Sequence, residues 1–212
     1  MITVMVSLSG NLIKEKEPIQ VIDELMELGV KFVNFERVTP NGNALDYIQK
    51  GIMPSNTELD KWLHLMWKQT LENKTWKYVN NMFFDSILTS VIQNSYSGCR
   101  CRQCEQKILT INANGTIGGC PNSATEKTFG TINDDIVTLM SSEGRACNIN
   151  QEATLNKNCF SCDVLDICNG DCHQLAWEGD LCAAPKSMMK EIKQIKNVEL
   201  YKEILGDFQG QE

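Results

Sequence analysis

The chain of 212 residues lacks what a nucleic-acid or membrane protein needs. It has 20 Lys and Arg against 27 Asp and Glu, a net charge of −7. The first 98 residues and the remainder are each acidic, so no basic half is hidden. That excludes sequence-independent nucleic-acid binding, which depends on clustered Lys and Arg. No apolar run approaches the ~20 residues that cross a bilayer. The N-terminal "MITVMVSLSG" lacks the basic segment and long apolar core of a secretory signal. No repeat and no low-complexity run interrupts an otherwise ordinary globular composition. A cytoplasmic location follows as the expectation.

Cysteine, by contrast, is in excess, with ten residues. Without export a disulfide framework is disfavoured, because the cytosol keeps thiols reduced, and metal ligation is the better reading.

Along the first part, "ITVMVSL" (2–8) is β-branched and apolar, the pattern of a buried strand. "EPIQVIDELMELG" places Ile19, Ile22, Leu25 and Met26 on one helical face, with Pro18 near its start and Gly29 just past its end. "KFVNFERV" (31–38) is a second strand. Strand, helix and strand make one βαβ unit, so the two strands are expected to be parallel neighbours. The loop "TPNGNA" (39–44) has turn chemistry at Pro40 and Asn41-Gly42. "SNTE" (55–58) is a capping box before Leu59, Trp62, Leu63, Met66, Trp67 and Leu71 at helical spacing, a stripe read as core packing. A second amphipathic stretch, about 80–94, carries Met82, Phe83, Ile87, Leu88, Val91 and Ile92.

From Cys99 the character changes to cysteines, glycines and short strands. "KILTINANGTIGGC" reads as a hairpin turning at Asn114-Gly115, and "TFGTI" (128–132) adds a third short strand. About 186–205 is helical, with Met188, Ile192 and Ile195 on one face. The fold class is α+β. A βαβ piece with helices precedes a cysteine-rich module expected to lack a large apolar core and to be held by metal instead.

The cysteines are Cys99, Cys101, Cys104, Cys120, Cys147, Cys159, Cys162, Cys168, Cys172 and Cys182. Thiolates suit zinc and iron–sulfur clusters. Two four-cysteine sites would use eight of the ten, which fits better than one zinc site and leaves two zincs open. The spacing runs C-x10-G-x4-C from Cys104 through Gly115 to Cys120. After a gap comes C-x2-C-x5-C-x3-C from Cys159 to Cys172, and nine residues later Cys182.

Over about residues 99–185 this spacing resembles the seven-cysteine signature of the SPASM domain, the C-terminal extension of many radical S-adenosylmethionine (SAM) enzymes. The resemblance implies two auxiliary [4Fe–4S] clusters with interleaved ligands. The first takes Cys104, Cys120, Cys172 and an upstream cysteine, Cys99 in preference to Cys101. The second takes Cys159, Cys162, Cys168 and Cys182. Zinc is a possible substitute at either site. Cys147 and the unused upstream thiol are then free, and read as small buried hydrophobes. Arg100 and Arg102 flank the thiolates, where they could offset cluster charge; solvated side chains are the expectation. His173 could bond a sulfide or cap a turn, and His64 reads as structural.

More weakly, "TVMVSL…ELGVKFVNFERVTPNGNA" is similar to the last two strands of the partial barrel that precedes a SPASM module. The resemblance divides the chain into residues 1–97, the end of a radical SAM-type barrel with linker helices; 98–185, the iron–sulfur module; and 186–212, a C-terminal helix and tail. The family's SAM-cleaving motif, C-x3-C-x2-C, does not occur among the ten cysteines. A truncated radical SAM–SPASM protein is therefore expected, inactive in SAM cleavage alone. It would serve as a subunit or fragment of a peptide- or protein-modifying system, with its first strand left as a bare edge. That edge would pair with itself or with a chain supplying the missing barrel strands. The alternatives are an iron–sulfur electron-transfer or recognition protein without SAM chemistry, and a zinc-stabilised interaction domain.

Overall fold

A computed structural model describes residues 2–42, 44–122 and 127–206. Residues 123–126 and 207–212, the end of the expected tail, lie outside the described residues, as does Asn43 of the 39–44 loop. The first part contains β1 (Thr3–Leu8), α1 (Gly10–Glu15), α2 (Pro18–Glu27), β2 (Phe32–Arg37), α3 (Ala44–Gln49), α4 (Asn56–Asn73), β3 (Asn80–Asn81) and α5 (Met82–Gln93). β1 and β2 are parallel and in register from Thr3↔Phe32 to Leu8↔Arg37, as the βαβ pattern requires. The 80–94 stretch differs at its start. Asn80 and Asn81 pair in parallel with Phe32 and Val33, giving a three-stranded sheet ordered β1-β2-β3, and the helix begins only at Met82. Asn81 caps it by accepting from the Phe83 amide at 3.1 Å.

Alternation in β1 and β2 gives the sheet two unlike faces. Leu8, Val33 and Phe35 are fully buried against the helices, and Val4 and Val6 pack partly on the same core. Met5 is exposed on the opposite side, Ser7 likewise, and Asn34 there donates to Glu36 at 2.6 Å. β1 is thus a half-buried edge strand, where the apolar sequence read as a buried one. α2 starts with Pro18 at its first turn; its buried residues are Pro18, Val21, Ile22 and Leu25, with Ile19 and Met26 only half-buried.

The Ser55–Glu58 capping box forms as expected: Ser55 Oγ accepts from the Glu58 amide at 3.2 Å, and Glu58 accepts from the Ser55 amide at 2.8 Å. Leu59, Trp62, Leu63, Met66 and Trp67 of α4 fill the core. Trp67 meets Phe84 edge-on at 5.3 Å and Tyr201 at 6.1 Å, and Phe35 lies 5.8 Å from Trp62. His64 pairs with Glu191, a structural role.

The second part contains α6 (Cys104–Lys107), β4 (Thr110–Ile111), β5 (Thr116–Gly118), β6 (Gly130–Thr131), α7 (Ile136–Met140), α8 (Glu143–Ala153) and α9 (Leu165–Cys168). β4, β5 and β6 form an antiparallel sheet, with the hairpin and the added strand where expected. Gly115 turns the hairpin at φ +81, which glycine adopts without a Cβ penalty. The apolar core of this sheet is only Ile117, Phe129 and Leu139. Val164, Ile167, Cys168 and Ala184 belong instead to the large core of the first part. The segment 186–205 is two helices, α10 (Lys186–Ile195) and α11 (Val198–Gly206). Lys196 in the left-handed region ends the first, and Asn197 accepts from the Leu200 amide at 3.1 Å to cap the second. Ile195 falls at the break and is exposed, while Met188, Met189 and Ile192 are buried. No described helix is long and apolar enough to cross a membrane.

Asp85, in the first turn of α5, carries an ionisable group against this core. Burial pushes its carboxyl up to about 6, against a hydrogen bond with Asn80 that lowers it. The folded state therefore holds the proton more tightly than the unfolded chain. The associated stability is present below the unfolded value of 3.8 and is lost as pH rises through about 6. Asp85→Asn is expected to raise stability at pH 7.5 by roughly 2 kcal/mol. The gain should shrink steadily as denaturant titrations are repeated from pH 6.5 down to 4. A gain independent of pH would rule out this origin.

Candidate metal centre

One buried ion pair helps to join the two parts. Arg37, at the C-terminal end of β2, grips Asp171 with both terminal nitrogens: Nη1 donates to Oδ2 at 2.6 Å and Nη2 to Oδ1 at 2.9 Å. Nη1 also donates to the Ala183 carbonyl at 2.8 Å, and the guanidinium stacks 5.5 Å above Phe83. Both side chains are 5% exposed. Burial opposes charge on Asp171, but Arg37 wins and holds its carboxyl down at about 2. Asp171 lies between Cys168 and Cys172, in a run where Asn169, Gly170 and Asp171 all have positive φ. A left-handed Asp is strained, and the bidentate clamp holds it there.

Around this clamp the cysteines fall into two groups. Cys99 Sγ donates to Asp171 Oδ1 at 3.8 Å, and its thiol is paired with that of Cys172. The Cys99 thiol is thereby pushed well up, first by the pairing with Cys172 and then by burial; Cys172 is lowered to about 7, chiefly by the same pairing. Cys104 is paired likewise with Cys120, raising its own thiol and lowering its partner's, and the charge of Cys172 also reaches Cys120. Cys101 acts by its charge on Cys104.

Two fully buried carboxylates frame this group. Glu152, from α8, accepts from the Cys104 amide at 2.8 Å and the Glu105 amide at 3.0 Å. Glu105 accepts from the Cys120 amide at 3.2 Å. To do so its carboxylate crosses Gly119, where a Cβ would sit 2.0 Å from Oε2. His173 lies between them, 3.3 Å from Glu105 and 3.7 Å from Glu152. Burial disfavours its charge, yet the two carboxylates and Cys172 raise its pKa. His173 is a buried partner of carboxylates, a role its position in the sequence did not disclose.

The second group lines one cavity of about 340 Å³: Cys159, Cys162, Cys168 and Cys182 all face it, with Trp177 and Val164 in the wall. Cys182 raises the thiol pKa of both Cys159 and Cys168 by its charge, behind burial. Among the described residues no three His, Cys, Asp or Glu side chains stand close enough to hold a single metal ion.

Three readings from the sequence need correction. Arg100 is 2% exposed and not solvated: Nη2 donates to Ser86 Oγ at 2.5 Å. Arg102 ties down the module by donating to the carbonyls of Asp171 at 3.2 Å, Thr154 at 3.0 Å and Glu152. Cys147 is exposed on α8, so it is not a buried hydrophobe.

The chain superposes on anSMEcpe solved with bound AdoMet and a Cp18Cys peptide, with a TM-score of 0.72 and 15% identity, over 95% of this chain and 58% of that one. The same protein with AdoMet alone gives 0.71 at 15% identity, over 95% and 57%. The fold is similar to that of anSMEcpe. The chain spans less than two thirds of the length of these structures. No protein-family model and no curated protein sequence matches it. Among the described residues the strands form two three-stranded sheets and no closed barrel.

Removing one partner of a buried ion pair costs about 3–5 kcal/mol, because the other charge is left uncompensated. Arg37→Met is expected to lose that much in urea unfolding. Arg37→Met combined with Asp171→Asn, which tolerates the left-handed backbone, is expected to lose clearly less than the sum of the single changes. Additive losses would mean that the two side chains act independently.

Proposed function

We propose that this chain is the auxiliary-cluster part of a radical SAM–SPASM system that modifies peptides or proteins, with two [4Fe–4S] clusters as its cofactors. The observation that carries the reading is the 340 Å³ cavity walled by Cys159, Cys162, Cys168 and Cys182. Four thiolates close tightly around a zinc ion at ~2.3 Å and leave no such space, whereas an iron–sulfur core is a larger guest. The paired thiols Cys99–Cys172 and Cys104–Cys120 support the first site and favour Cys99 over Cys101 upstream. The donor set fits, since all eight side chains are thiols and both sites lie beside buried arginines. When bound, such a cluster supplies one-electron transfer. The residues around it hold and shield it: Val164 and Trp177 exclude water from the second site, while Glu105 and Glu152 fix the backbone that presents Cys104 and Cys120.

The likeness to anSMEcpe, solved with AdoMet and a peptide, supports SAM and peptide as the molecules the whole system handles. In this reading the unpaired edge of β1 receives the remaining barrel strands, from a partner chain or from further residues of the same protein, and the chain works in the cytoplasm. Among these 212 residues no C-x3-C-x2-C trio leaves an iron open for SAM.

Anaerobic reconstitution is expected to give a brown protein with about eight irons and eight sulfides per chain, as two [4Fe–4S] clusters carry. A colourless chain that takes up only zinc would refute the reading. Cys172→Ala is expected to lose roughly half the iron, leaving the second cluster visible by electron paramagnetic resonance. Loss of the cluster at Cys159, Cys162 and Cys168 instead would overturn the interleaving. With SAM and dithionite, this polypeptide alone is expected to release no 5′-deoxyadenosine even when fully loaded; turnover above the cluster-free control would mean that one of the two sites has an open iron.

A further inference from the structure

The two cysteine groups share a buried cation. Arg100 follows Cys99 in the chain, and its main-chain carbonyl accepts from Asn169 Nδ2 at 2.8 Å, which ties it to the residue just after Cys168. Its side chain is enclosed, with Nη2 held by Ser86 of α5, and its Nε has no hydrogen-bond partner among the described residues. Burial lowers the pKa of this guanidinium, and Asp171, Cys99 of the first group and Cys168 of the second act against that lowering. Asp171 is already neutralised by the bidentate Arg37. Counting Arg37, Asp171 and Arg100 together, the clamp between the two sites carries one positive charge in excess. A buried cation that formed only an ordinary ion pair would be matched by its own carboxylate. No described carboxylate makes a salt bridge to Arg100, and besides Asp171 the groups that favour its charge are Cys99 and Cys168, one from each site.

We propose that Arg100 is a shared counter-charge for both cluster sites, making each cluster easier to reduce. The inference rests on the iron–sulfur reading above and adds a role for a residue outside the ligand set. Reduction of a [4Fe–4S] core from its 2+ to its 1+ state adds one electron and no proton, so the thiolate-ligated cluster becomes one charge more negative. A fixed positive charge in a low-dielectric surround favours that product, and net charge and hydrogen bonding near the sulfurs are known levers on cluster potential. Because one guanidinium acts on ligands of both sites, its removal should move both potentials in the same direction.

The test is a redox titration of the reconstituted full chain with dithionite as electron donor, followed by electron paramagnetic resonance. Arg100→Met is expected to shift both midpoint potentials to more negative values, with iron content unchanged. Arg100→Lys, which keeps the charge, is expected to restore most of the shift. Ser86→Ala, which removes a hydrogen bond and no charge, is expected to move the potentials far less. If Arg100→Met does not fold, Arg100→Gln, which retains an amide for Ser86, makes the same comparison. Loaded clusters whose potentials do not move, or of which only one moves, would overturn the shared role. A Lys variant that behaves like Met would overturn the charge as its cause. A wild-type chain that takes up no cluster would overturn the iron–sulfur reading itself, and is distinguished by its iron count before any titration.

Discussion

The Arg37–Asp171 pair is the constraint on which the rest depends. It is the place where a strand of the first part and a cysteine-bearing loop of the second are fixed to one another by charge. Burying both groups is costly, and the cost is offset only because every short-range condition is met at once: bidentate geometry, a third hydrogen bond to Ala183, and the face of Phe83 beneath the guanidinium. The same contact maintains left-handed φ at Asp171 and so turns Cys168 toward one group and Cys172 toward the other. The separation of Cys168 from Cys172 thus has a local cause in three residues of backbone and one arginine.

The second part is built on a different principle from the first. Around β2 and α4 the core is large and apolar, with two tryptophan–phenylalanine contacts and the methionines of α10 closing it. Around the hairpin only Ile117, Phe129 and Leu139 cluster. Order there comes from polar groups: Glu105 and Glu152 satisfy the amides beside Cys104 and Cys120, Arg102 collects three carbonyls, and His173 bridges the carboxylates. Such a network is stabilising only when complete, since each buried group left unpaired carries its full desolvation cost.

Much of this was legible in the residues, and the limits have physical reasons. The βαβ unit, the Ser55–Glu58 box and the Asn114-Gly115 hairpin are local signals of periodicity, capping and turn chemistry, and each forms. β3 was missed because Asn80-Asn81 has no strand propensity; its two residues are extended only because Phe32 and Val33 offer a parallel edge. The break at Lys196 was hidden by helix-forming neighbours on both sides, although Asn197 was available as a cap. In the cysteine region the spacing suggested the grouping, yet the fate of Arg100, Glu105 and Glu152 could not be read. Charged residues in a row of polar ones look solvated, and only the tertiary fold tells which of them are enclosed.

These enclosed charges explain how a module with so small an apolar core can present eight thiols at defined places. Thiols brought together repel as they ionise, and burial adds to the difficulty: Cys99, Cys104 and Cys168 are all pushed upward. Buried cations counter that tendency. Arg37 and Arg100 do so at the clamp, and Arg102 does so beside Cys159. The acidic surface and net charge of −7 give no hint of this inner arrangement, because the arginines that matter are the buried ones. Sulfur at the centre, arginine around it and carboxylates holding the surrounding amides form a layered arrangement. That layering, more than apolar packing, specifies where each cysteine stands.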